Sequence, residues 1–107
     1  LQIASKLRTT ILRGDYAPEQ QIPSIRRLAE NEKCNPTTVQ KAMKVLEEQN
    51  LVISCGTLGY FVIASEQEIK KLRYQESNKL VKILFEKLGE LDFSEDEIVN
   101  LFFRKDA

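Results

Sequence analysis

Residues 22–42 read Ile-Pro-Ser-Ile-Arg-Arg-Leu-Ala-Glu-Asn-Glu-Lys-Cys-Asn-Pro-Thr-Thr-Val-Gln-Lys-Ala. This stretch decides the fold. Asn35 is a strong helix N-cap, and Pro36 suits the first helical position, where no backbone donor is needed. Val39, Ala42, Met43 and Leu46 follow at i, i+3, i+4 and i+7, an apolar stripe able to sit on a core. Thr37, Thr38, Gln40, Lys41 and Lys44 fall off that stripe and place hydroxyls, an amide and two cations on the surface. Any solvated helix face has this polar-out pattern, so the neighbouring segments must decide its meaning.

Upstream, Ser24 caps a short helix with Leu28 and Ala29 inward, and Asn31-Glu32-Lys33-Cys34 forms the turn into the Asn35 cap. Further back, Ile3, Leu7 and Ile11 at i+4 spacing, with Ala4 beside them, mark a first helix that stops near Arg13-Gly14-Asp15. Downstream, Leu51 to Ser54 and Tyr60 to Ile63 are β-prone runs around Cys55-Gly56-Thr57-Leu58-Gly59, a hairpin with a loop longer than two residues. Helix, short helix, turn, helix and hairpin is the order of a winged helix-turn-helix, in which the start of the last helix meets base edges and nearby cations meet phosphate. The hairpin loop holds no Lys or Arg; its expected contribution is close backbone approach at Gly56 and Gly59 and hydrogen bonds from the Thr57 hydroxyl.

The ordered set Pro23, Ser24, Arg26, Leu28, Ala29, Thr37, Thr38, Gly56, Gly59, Phe61 and Val62 resembles the DNA-binding domain of the GntR family of bacterial transcription regulators. The Asn-Pro-x-Thr-Val-Gln form over residues 35–40 resembles its YtrA subfamily in particular. The resemblance covers residue 1 to about residue 63. It implies DNA contacts from Arg26 at the start of the second helix, from Thr37, Thr38 and Gln40 on the third, and from the wing around Gly56; Ser24, Arg27, Asn35, Lys41, Lys44 and Thr57 complete the expected DNA-binding set. Two departures stand out. Arg27 occupies the position at which a Ser-x-x-Glu capping box would have its acid. Pro36 and Gln40 stand where many members carry arginine, the residue that grips guanine bidentately.

Residues 64–107 are fewer than an independent domain usually needs, and they leave no room for a large ligand pocket of their own. They read as two helices. Ser65 with Glu68 and Ser94 with Glu97 are capping boxes, Phe93 and Ile98 are placed as a hydrophobic staple, and Gly89 is expected to stop the first helix. That helix is mostly polar to Lys79, after which Leu80, Val81, Ile83, Leu84, Phe85 and Leu88 wrap more than one face. With Leu91, Ile98, Val99, Leu101, Phe102 and Phe103, the tail has more apolar surface than two helices can bury. A second copy would cover it. Leu80, Val81, Leu84, Phe85, Leu88 and Phe102 are therefore the expected dimerisation residues.

The predicted fold is mostly α with a small β-hairpin: a winged helix-turn-helix DNA-binding domain over 1–63, then a two-helix dimerisation tail over 64–107. The expected function is sequence-specific transcription regulation, by a repressor acting as a homodimer on a palindromic operator in double-stranded DNA. A winged helix serving only as a protein-interaction module is the alternative, and Arg26, Arg27, Lys41 and Lys44 on the DNA side favour the first reading. Net charge is zero, from 16 basic and 16 acidic residues, but residues 1–63 carry 8 basic and 6 acidic side chains, a modest excess that suits affinity from a limited set of phosphate contacts per subunit, doubled by dimerisation.

Catalysis is not expected. There is no histidine, and Cys34 and Cys55 lack the paired Cys or His of a zinc site. The acidic run Glu95-Asp96-Glu97 suits a helix start better than a cation site. No cofactor or metal is implied, and a small-molecule effector is left open and unidentified. No signal peptide or membrane-spanning run is visible, so a cytoplasmic protein with reduced thiols is expected. The sequence opens at Leu1 inside a helical pattern, from which residues preceding it are expected.

Overall fold

The computed structural model describes residues 2–103. Five α-helices and one two-stranded antiparallel sheet follow in the order α1 (Gln2–Leu12), α2 (Ile25–Glu32), α3 (Pro36–Glu48), β1 (Val52–Ser54), β2 (Tyr60–Val62), α4 (Glu66–Glu90) and α5 (Glu95–Leu101). This is the mostly helical architecture with a small hairpin that the sequence predicts. Among the described residues, no helix is long and apolar enough to cross a membrane.

The chain divides into two compact units, one ending at Arg73 and the other beginning at Tyr74. In the first, α3 packs on both α1 and α2 and also meets β1. Its stripe of Val39, Ala42, Met43 and Leu46 is fully buried, and Leu7 and Ile11 of α1, Leu28 of α2, and Val52 and Val62 of the hairpin are buried with it. Each Val, Leu, Ile or Met side chain among them contributes about 1.5–3 kcal/mol by leaving water. The expected α1 face is inward, although Ile3 is only partly buried and Leu12 joins the core as well. Ala64 and Ile69 also belong to this core, so the first turns of α4 are part of the first unit.

The helix starts form as their sequences dictate. Ser24 Oγ accepts the Arg27 amide at 3.1 Å with no reciprocal acid, and Asn35 Oδ1 accepts the Thr37 amide at 2.9 Å. Both capping boxes close: Glu68 N donates to Ser65 Oγ at 3.1 Å while Ser65 N donates to Glu68 Oε1 at 3.3 Å, and the Ser94 and Glu97 pair does the same at 3.2 and 3.0 Å.

The helix ends differ from expectation. Gly89 does not stop α4; it lies within the helix. The terminator is Asp92, with φ +68°, where Asp92 N donates to the Gly89 carbonyl and Phe93 N to the Leu88 carbonyl. These two bonds are a Schellman motif, whose left-handed position usually holds glycine but tolerates aspartate better than most residues. The same pair of bonds ends α2 at Lys33 (φ +53°) and α3 at Asn50 (φ +61°). Consequently Asn31 and Glu32 are helical, and the turn between α2 and α3 is shorter than the predicted four residues.

Strand register is Val52 with Val62, Ile53 with Phe61 and Ser54 with Tyr60. Leu51 and Ile63 sit just outside the ladder, although Ile63 N still donates to the Leu51 carbonyl. A segment without a predicted role joins the hairpin: Glu19 N and Ile22 N donate to the Val62 and Tyr60 carbonyls, Val62 N donates to the Gln20 carbonyl, and Gln21 bridges Phe61. Ile22 is thereby buried.

In the second unit, Ile98 is buried, and Phe85, Leu88, Phe93 and Leu101 are partly covered. Leu80, Val81, Ile83, Leu84, Leu91, Val99, Phe102 and Phe103 remain exposed.

Candidate nucleic-acid interface

Three elements of the first unit carry the residues in question: the start of α2, the exposed face of α3, and the loop between the strands. At roughly 100° of rotation per residue, Thr37, Lys41 and Lys44 fall together on the side of α3 opposite the buried stripe, with Gln40 at their edge. All four are exposed. Thr38 lies nearer the flank of the stripe and is half-buried, so it is more constrained than the other off-stripe residues with which the sequence groups it. The Asn35 carboxamide is engaged as the cap and fixes where this face begins.

At α2, the Ser24 hydroxyl is occupied by its own helix, and Arg26 and Arg27 are exposed. Arg26 Nε lies 3.9 Å from Glu30 Oε1, a long ion pair between side chains 90% and 70% exposed. Such a pair has little value in water and yields readily to phosphate. Among the described residues, the side chains of Arg27, Lys41 and Lys44 have no ion-pair partner. Glu32, the acid at the end of α2, is turned to α1 by a 2.7 Å bond from Lys6.

The wing loop folds into a 3₁₀ turn at Gly56–Leu58, which the sequence does not signal. Gly56 has φ +61° and Gly59 φ +92°, so both glycines meet a backbone requirement of the turn itself, apart from any close approach to DNA. Replacing Gly56 by a β-branched residue would therefore strain the loop, which makes Thr57 the cleaner position for substitution. Thr57 is exposed.

Two residues with no predicted site role hold these elements in place. Gln21 Nε2 donates to the Leu58 carbonyl at 2.7 Å, tying the segment before α2 to the wing. Glu47 Oε2 accepts the Ser54 amide at 3.3 Å, tying the end of α3 to the root of the wing. Gln21 also lines a shallow depression with Pro23, Ser24, Arg27 and Asn31 at the start of α2. Polar side chains with tertiary duties of this kind carry no periodic signal.

The arrangement offers hydroxyls, amides and exposed cations on the outer face of α3, with the root of the wing tied to the end of that helix. Among the described residues, no group of His, Cys, Asp or Glu could hold a metal ion. Cys34 is half-buried in the turn before α3, Cys55 is exposed in the wing, and both are free.

The family model for bacterial regulatory proteins of the gntR family matches residues 1–62. The chain is 23% identical over 99 residues, 92% of its own length and 82% of the relative's, to the uncharacterized HTH-type transcriptional regulator YhcF of Bacillus subtilis. It is 33% identical to the HTH-type transcriptional repressor YtrA of the same organism over 61 residues, 57% of this chain and 47% of that one. Among solved structures, a GntR family transcriptional regulator from Listeria monocytogenes superposes with a TM-score of 0.87 at 24% identity, covering 98% of this chain and 92% of the other. YtrA from Sulfolobus acidocaldarius, a GntR-family transcription factor, gives a TM-score of 0.53 at 30% identity, covering 96% and 83%.

Proposed function

This chain belongs to the gntR family of bacterial regulatory proteins and is a DNA-binding transcription regulator, not an enzyme; we propose that it acts as a homodimeric repressor on a palindromic operator. In this reading, residues 1–63 bind DNA and residues 64–107 form the dimerisation tail. The observation that carries it is the α3 face of Thr37, Lys41 and Lys44, exposed opposite a buried stripe, with Gln40 at its edge, and presented from a sharply capped start. A small dimer seated on an operator blocks polymerase without needing an activation surface, and the relative YtrA is named as a repressor.

Within the face, Thr37, Thr38 and Gln40 are assigned to base edges, and Arg26, Arg27, Lys41 and Lys44 to phosphates, with Ser24 and Asn35 holding the helix starts and Gly56 and Thr57 meeting the backbone at the wing. Fluorescence anisotropy with the protein's own upstream promoter DNA and with random DNA of equal length tests the division. Gln40→Ala is expected to cost about 1–3 kcal/mol on the preferred site and little on random DNA. Lys44→Ala should weaken both about equally and flatten the salt dependence. Equal losses on the two DNAs for Gln40→Ala would remove Gln40 from the base-reading set, and failure of wild type to prefer any promoter fragment would defeat the operator reading.

The wing gives a gain-of-binding prediction. Thr57→Arg puts a cation on an exposed loop without one, so it should tighten binding to both DNAs, most visibly at low salt. If affinity at low salt is unchanged, the wing does not approach the phosphates.

A further inference from the structure

We propose that the first unit carries a second binding site, a pocket for a small organic carboxylate with an apolar body, where the loop after α1 meets the first two turns of α4. The pocket holds about 310 Å³, at the small end of ligand sites. No residue of α2, α3 or the wing lines it.

Its floor is apolar, built on the buried Leu12 and Ile69 and continued by Ala17 and Pro18. The wall from α4 bears Lys70 and Arg73. Among the described residues, neither cationic side chain has an ion-pair or hydrogen-bond partner. Of the two acids in the loop, neither lines the pocket, and Asp15 is already taken: Arg13 Nε donates to its Oδ1 at 3.2 Å, and this hydrogen bond holds the Asp15 carboxyl below its usual range. Glu66 is the one carboxylate lining the pocket, so two cations face a single acid. An apolar floor beneath uncompensated positive charge selects an anion attached to a hydrophobic group. A neutral hydrocarbon would leave the cations unused, and an inorganic anion would leave the floor wet.

The loop is held in advance. Ala17 N donates to Gln20 Oε1 at 2.8 Å and Glu19 N to the Val62 carbonyl at 2.8 Å, so little ordering cost falls on binding. A ligand bridging this loop to Lys70 and Arg73 would clamp the root of α4, the helix that continues to Glu90.

The test is an amide chemical-shift titration of the wild-type protein with benzoate, phenylacetate and hexanoate, and with benzyl alcohol as the uncharged comparison. Saturable shifts are expected at Gly14, Ala17 and Ile69 with at least one carboxylate, and benzyl alcohol should bind at least about tenfold more weakly. Lys70→Gln/Arg73→Gln, at exposed positions, should reduce carboxylate affinity by a similar factor without altering the melting temperature in buffer. The proposal is overturned if no carboxylate gives saturable shifts there at millimolar concentration, or if benzyl alcohol binds as tightly as the best of them. Undiminished binding in a folded double variant would also overturn it. The titration contains no DNA, so its failure is separate from any failure of operator binding.

Discussion

A Leu80→Asp/Leu84→Asp variant is expected to sediment as a folded monomer and to lose about 10²–10⁴-fold in operator affinity, the avidity that linking two half-site contacts supplies. Leu80 and Leu84 are 61% and 38% exposed within the single chain, so carboxylates there stay in water when the chain is alone. In the proposed dimer they would enter an apolar seam unpaired, at a cost large enough to dissociate it. Phe85 and Leu88 belong to the same expected seam but are already half-buried, and aspartate at either would damage the unit's own packing as well. Sedimentation equilibrium gives the mass, circular dichroism the fold, and anisotropy the affinity. A double variant that remains dimeric, or a wild-type protein that is monomeric at micromolar concentration, would show that these residues are not a dimer seam.

Leu46→Ala should remove about 2–5 kcal/mol of stability, through lost transfer energy and the cavity left in a site that cannot fully collapse. Leu46 has no exposed surface, lies at the end of the α3 stripe, and its carbonyl accepts the Leu51 amide that leads into the hairpin. For a domain of this size each kcal/mol is worth roughly 4–8 °C in melting temperature, so the transition should fall well clear of wild type. Lys41→Ala, on the opposite face, should melt within about 0.5 kcal/mol of wild type while losing DNA affinity. Thermal and urea melts measure both. A loss below about 1 kcal/mol for Leu46→Ala would mean that the core drawn around α3 is not the one that holds the unit together.

Those contrasting expectations rest on features legible before any coordinates. The Asn35-Pro36 start, the stripe from Val39 to Leu46, and the paired caps at Ser65 with Glu68 and Ser94 with Glu97 all act within seven residues. The structure reproduces each of them. The division of α3 into a core side and an exposed polar side follows from the stripe alone. The half-burial of Thr38 does not, because it depends on how much of each flank the packed neighbours of α3 cover.

By itself, then, the sequence determined the order of elements, the helix starts and the apolar faces, because capping bonds and helical periodicity are local and each residue's part is set by near neighbours in the chain. Tertiary structure decided how the helices end and how the wing is held. Lys33, Asn50 and Asp92 take left-handed conformations that their residue types do not demand, whereas Gly89 remains helical, because the final hydrogen bonds form where the following residue can be accommodated. Gln21 reaches the Leu58 carbonyl across 37 positions, and Ile22 is buried where its segment pairs with β2. Pairings at that separation depend on chain closure around a finished core, and closure leaves no periodic mark on the residues that meet.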